Sequence, residues 1–133
     1  MSNLISLDVG AKRIGVASAD SSLPIAVPLQ TIEVDGNEIE TIKKIVSDKS
    51  IDTIIVGYPR NQSGEATAQT EVAEHFALLL RDIAPVIFQD ESLTSVIAED
   101  RLKMSGKPYE KGDIDALAAA IILQDYLEIH NGA

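Results

Sequence analysis

Three carboxylates stand where the pattern of this chain changes from one element to the next: Asp8 in LISLDVG, Glu91 closing VIFQDE, and Asp115 in KGDIDALAAAIIL. Asp8 interrupts an apolar strand run. An ionised carboxylate there costs several kcal/mol unless a basic side chain, backbone donors or a metal ion pairs with it. Carboxylates brought within a few ångströms of one another repel and take raised pKa values unless divalent cations hold them. The chain has no cysteine, and neither His75 nor His130 belongs to a ligand-like spacing, so the available ligands are hard oxygens that suit Mg²⁺ or Mn²⁺. Paired ions of that kind activate a water and stabilise the leaving oxygen in phosphodiester hydrolysis. Asp8, Glu91 and Asp115 are therefore the candidate catalytic and metal-binding residues.

The elements that must position them follow from periodicity. Residues 4–9 and 14–20 are apolar runs separated by Gly-Ala-Lys-Arg, which reads as strand, tight turn and strand. A third extended stretch runs from Ile25 to Glu33, and its Pro28 favours an edge or bulged position because proline cannot donate to a ladder. Ile39, Ile42, Ile45 and Val46 recur at helical spacing between Asn37 and Asp48. IDTIIVG is a buried strand. After YPRNQSG, the residues Val72, Phe76, Leu79, Leu80 and Ile83 predict the apolar stripe of a helix of about five turns. PVIFQDE is the last strand. Thr94 opens a helix running to about Met104, with Gly106 and Pro108 as stop signals, and a nearly all-apolar helix runs from Ile114 to about Glu128. This order predicts an α/β domain spanning residues 1–133, a mixed five-stranded sheet with helices on both faces.

Regular alternation places Asp8 on one strand face with Leu4 and Ser6, opposite Ile5, Leu7 and Val9. Asp113 is expected as the N-cap of the final helix and Asp115 in its first turn. Residues two apart are separated by about 200° around a helix, so only one of them serves an inward site. Asp115 is that one, since it shares its face with Ala118, Ala119 and Ile122.

A formal charge of −10 on 133 residues argues against a general polyanion-binding surface. Distribution qualifies the total. RLKMSGKPYEK carries Arg101, Lys103, Lys107 and Lys111 against Glu110 alone, and Lys12, Arg13 and Arg60 lie in other loop-like stretches, so an acidic body with a basic rim is expected. Candidate substrate contacts are Lys12 and Arg13 beside the metal site, Arg60 and Asn61 in GYPRNQSG, Thr94, and the Lys107, Tyr109, Lys111 group, through phosphate contacts and base stacking. Each residue also has a plainer role available. Asp8 can be capped by turn amides or paired with Lys12 or Arg13, Glu91 can be a solvated acid, Asp115 can serve the helix dipole, and the basic stretches can be solvated loops. No apolar run is long enough to span a bilayer, and MSNLISLDVG lacks the regions of a signal peptide, so a cytoplasmic protein without membrane contact is expected.

LDVGAKRIGVASAD, IIVGYPRNQSG, DESLTS and KGDIDALAAAIILQDYL resemble, in order and spacing, the four signature blocks of the YqgF family. That family is described as Holliday junction resolvases and is associated with maturation of the 16S ribosomal RNA precursor. The resemblance implies a ribonuclease H-like fold, similar to the RuvC resolvases, and an acidic metal site that falls on Asp8, Glu91 and Asp115. It further implies a Mg²⁺- or Mn²⁺-dependent nuclease. The implied partners are structured RNA such as pre-16S rRNA, or branched DNA, with ribosomal particles as a setting and a monomer or weak homodimer as the assembly. A non-catalytic nucleic-acid-binding domain on the same fold is the alternative. Ala11, Ser63 and Ser92 depart from the family pattern, at threonine, aspartate and arginine positions respectively, and bear on substrate contacts rather than on metal ligation.

Overall fold

Alternation through residues 3–9 forms β1 (Asn3–Val9), and the short turn after it returns the chain as β2 (Arg13–Asp20). There follow β3 (Leu23–Glu33), α1 (Glu38–Asp48), β4 (Thr53–Pro59), α2 (Ala68–Leu80), β5 (Val86–Glu91), α3 (Thr94–Met104) and α4 (Lys111–Asn131). The structure is a computed structural model that describes residues 3–20, 22–59, 67–91, 94–106 and 111–131, without the side chains of residues 24, 91, 94–97, 99, 111, 130 and 131.

The strand order is β3-β2-β1-β4-β5. β1, β2 and β3 pair antiparallel, whereas β1, β4 and β5 pair parallel, so the sheet is mixed as expected. β3 lies at the edge, and its register slips opposite Val16 and Ala17, which face Gln30 and Pro28. Proline's missing donor is accommodated there.

Each face of the sheet is covered. Ile5, Leu7, Val9, Ile14, Val16, Ile54 and Val56 pack beneath α1 and α2, against Ile42, Ile45, Phe76 and Leu80. The opposite face places Leu4, Ala17 and Ile55 under Ala119, Ile122, Leu123 and Leu127 of α4. α3 rides on α4 through Ala98, which meets Ala118 and Ile121. Among the described residues no helix is long and apolar enough to cross a membrane.

Two expectations are corrected. α2 has 13 residues and is shorter than five turns; its buried face is Thr70, Ala73, Phe76, Ala77 and Leu80, leaving Val72 and Leu79 substantially exposed. The Thr70 hydroxyl donates to the Pro59 carbonyl, and this buried anchor turns the small residues toward the sheet in place of the larger apolar ones. α4 begins at Lys111, so Asp113 lies inside the first turn rather than at the N-cap. Glycine's weak helix propensity is overridden here by tertiary contact, since Thr31 Oγ1 donates to the Gly112 carbonyl at 2.5 Å.

Candidate metal centre and nucleic-acid rim

Ser6 and Asp8 sit on the α4 side of β1. Ser6 is fully buried and its Oγ donates to the Ala119 carbonyl at 2.6 Å, tying strand to helix one turn beyond Asp115. Asp8 faces Gly15 across the β1–β2 ladder. A Cβ on Gly15 would lie 1.9 Å from the Asp115 carbonyl oxygen and 2.9 Å from the Ala116 nitrogen. The missing side chain is thus what lets the α4 backbone settle onto β2, and it delivers Asp115 beside Asp8.

Arg13 shares the Gly15 face of β2 and its Nε donates to Asp115 Oδ2 at 2.7 Å. That contact raises the Arg13 pKa further above its usual value and keeps the side chain cationic. Burial, and then the Asp115 charge, push the Asp8 carboxyl up to about 6. Among the described residues no hydrogen bond or ion pair reaches the Asp8 carboxylate, although the residue is half-buried. Its plainer partners are otherwise engaged: Arg13 is on Asp115, the Gly10 amide is on the Arg13 carbonyl at 2.9 Å, and Lys12 is exposed. A half-buried carboxylate next to a second carboxylate, with no basic partner among the described residues, is the donor chemistry of a hard divalent cation.

Glu91 is reached through the ladders. Leu7 pairs with Val56 and Val56 with Phe88, so Asp8 runs in phase with Gly57 and Gln89, and position 91 lies two residues further along in the same phase of the pleat. Two inter-strand spacings separate it from β1, about 10 Å. The Glu91 side chain is outside the described residues, and among those described no group of three or more acidic or histidine side chains gathers as a metal cluster. The pair that the described structure brings together is Asp8 and Asp115. Asp113 is exposed, as its place on the helix predicts.

Of the remaining candidates, those whose backbone is described lie at one rim, because β1, β4 and β5 are parallel and end together. Lys12 stands in the turn after β1, Arg13 opens β2, β4 ends there at Pro59, and the α3 and α4 backbones begin there at Thr94 and Lys111. Arg60, Asn61, Lys107 and Tyr109 lie outside the described residues, as do the side chains of Thr94 and Lys111. Residues flanking segment 60–66 are pinned: Thr67 caps α2 in a capping box with Thr70, Thr70 holds Pro59, and the Gln69 amide donates to the Val9 carbonyl.

Ser6, Gly15, Thr31, Gln69 and Thr70 thus position the site without appearing among the sequence candidates. A signal existed for Gly15, since a glycine between Ile14 and Val16 inside a strand marks close backbone approach. The others are ordinary polar residues whose partners are set by tertiary packing.

Comparison with known proteins places these observations in context. The profile of the family described as "RuvX: Holliday junction resolvase" matches residues 2–129. A Chloroflexus aurantiacus protein named "Putative pre-16S rRNA nuclease" is 44% identical over 131 residues, covering 94% of this chain and 86% of its own. A protein of the same name from Synechocystis sp. is 37% identical with the same coverage. T. thermophilus RuvC in complex with Holliday junction substrate superposes with a TM-score of 0.60 at 14% identity, covering 100% of this chain and 98% of that one. The Fowlpox virus resolvase in complex with Holliday junction DNA gives 0.55 at 16% identity, covering 96% and 98%. The fold is accordingly ribonuclease H-like.

Proposed function

Because the chain belongs to the family described as RuvX, Holliday junction resolvase, we propose that it is a divalent-metal-dependent nuclease hydrolysing phosphodiester bonds in structured RNA, with the 5′ end of pre-16S rRNA as its substrate. The observation that carries this reading is the half-buried Asp8 carboxylate, pushed up to about 6 and set against Asp115 with no basic side chain paired to it among the described residues. The names carried by relatives up to 44% identical support the RNA substrate.

Asp8 and Asp115 would hold Mg²⁺ or Mn²⁺, with Glu91 completing the set from the end of β5. When bound, the ion supplies charge neutralisation and Lewis acidity toward water and the scissile phosphate. The chain's own contribution is placement. Ser6 and Gly15 fix α4 on the sheet so that the Asp115 backbone cannot drift from Asp8. Lys12 and Arg13 add positive charge beside the acids, offsetting the repulsion that a phosphate would meet from a chain of net charge −10. Cation contacts to phosphate position substrate without reading sequence, which suits a rim recognising structure.

The test is cleavage of a 5′-extended 16S rRNA fragment and of a four-way DNA junction, each with Mn²⁺ or Mg²⁺, by wild type, Asp8→Asn and Asp115→Asn. Cleavage of the RNA that vanishes in both variants is the expected result. Asp8-dependent cleavage of the junction alone would make the protein a resolvase instead, the reading that the family description favours. Binding without cleavage of either would leave a nucleic-acid-binding domain.

A further inference from the structure

The Arg13–Asp115 pair is held by one contact. Arg13 meets Asp115 through Nε alone, a single contact rather than the two-pronged fork that guanidinium and carboxylate form when they lock together. Its two terminal nitrogens have no further partner among the described residues, and Asp115 Oδ1 is likewise uncommitted there. The two side chains remain 32% and 21% exposed. Glu33, the cross-strand partner of Arg13 on β3, is exposed and offers a released guanidinium a second acidic neighbour. The one carboxylate oxygen that Arg13 occupies belongs to the residue that delivers α4 to Asp8.

We infer that Arg13 is a positioning residue that competes with the divalent cation for Asp115: it clamps the carboxylate while the ion is away, is displaced from Oδ2 when the ion binds, and then turns its free donors to a substrate phosphate. A guanidinium and a dication sharing one carboxylate oxygen repel each other, so the two states exclude one another. Arg13 thereby couples metal loading to nucleic-acid binding. The inference rests on the metal-centre reading given above, and it goes beyond that reading by giving Arg13 opposite effects on the two ligands.

Calorimetric titration of Mn²⁺ into the full chain without nucleic acid tests it, using wild type, Arg13→Gln, Arg13→Lys and Asp8→Asn. Arg13→Gln is expected to bind Mn²⁺ about three- to tenfold more tightly than wild type, the scale of a partly exposed ion pair. Arg13→Lys should fall between them, because an ammonium lacks the side-on Nε contact; it also carries the comparison if the glutamine variant fails to fold. In Ca²⁺, Arg13→Gln should weaken RNA binding and lower the salt slope by about one. Mn²⁺ affinity that is unchanged or weakened in both Arg13 variants overturns the inference while leaving the metal centre standing. Wild type that binds no Mn²⁺, or binds it as well after Asp8→Asn, overturns the metal centre and this inference with it.

Discussion

Gly15 and Asp115 meet backbone to backbone, so closely that a single methyl group on Gly15 would fall 1.9 Å from the Asp115 carbonyl oxygen. Since Gly15 is also the ladder partner of Asp8, this contact links the backbones of the two acids. It makes the proposed metal centre depend on a residue that has no side chain.

Replacing Gly15 with alanine must therefore shift α4, as the obstructing atoms are backbone and cannot rotate aside. Overpacking of this kind costs about 1–3 kcal/mol. The variant is expected to unfold at lower urea than wild type and, where still folded, to lose at least about tenfold in Mn²⁺ affinity, a larger loss than stability alone explains.

Asp8 titrates at about 6 in the fold against 3.8 when exposed, so the folded state holds its proton more tightly. Ionising Asp8 costs the fold up to about 3 kcal/mol at pH values above 6, and this cost disappears as the pH falls from 6 toward 4. Without metal, Asp8→Asn should be more stable than wild type at pH 7.5, by about 1–2 kcal/mol once the imperfect pairing of a shielded amide is allowed for. The difference between the two proteins, followed by thermal unfolding across that range, should shrink on acidification. An advantage independent of pH would contradict the assignment of the shift to the Asp8 charge.

Metal should reverse that order. At a free Mn²⁺ concentration near one hundred times the dissociation constant, ligand linkage stabilises the wild type by about 2.7 kcal/mol. The corresponding rise in Tm should be large at pH 7.5, small at pH 5 where Asp8 is mostly protonated, and absent in Asp8→Asn. Chelation with EDTA should return the wild type to its metal-free curve.

Ser6→Ala separates scaffold from chemistry. Its buried hydroxyl bonds the Ala119 carbonyl, and removing one such bond costs about 0.5–1.5 kcal/mol. Ala119 sits one turn beyond Asp115, while Gly15 still seats the helix, so cleavage should stay within about twofold of wild type even as the denaturation midpoint drops.

Much of this architecture is legible in the chain because its signals are local. Alternation through LISLDV sends Asp8 to the side of Leu4 and Ser6, and the small face Ala118, Ala119, Ile122 sends Asp115 inward; both placements are found, with all three of those helix residues at most 1% exposed. Pro28 likewise marks the irregular edge strand. What the chain does not reveal is long-range. The start of α4 depends on Thr31 reaching Gly112, and the rotation of α2 depends on Thr70 reaching Pro59, contacts that no periodicity encodes. Arg13 was legible as a cation near the site, but its choice of Asp115 over Asp8 follows from the shared Gly15 face of β2 and the seating of α4.

The pinning of Pro59 by Thr70, backed by the Thr67 cap, has an engineering consequence. Closing a loop ordinarily draws on chain entropy each time its length changes, yet here the two attachment points are held by bonds lying outside the connecting segment. Positions 61–65 can thus be swapped or lengthened as a cassette. Under the proposed reading of Arg60 and Asn61 as substrate contacts, libraries confined to these positions are a direct means of retuning nucleic-acid preference, with the sheet and the paired acids left as they are.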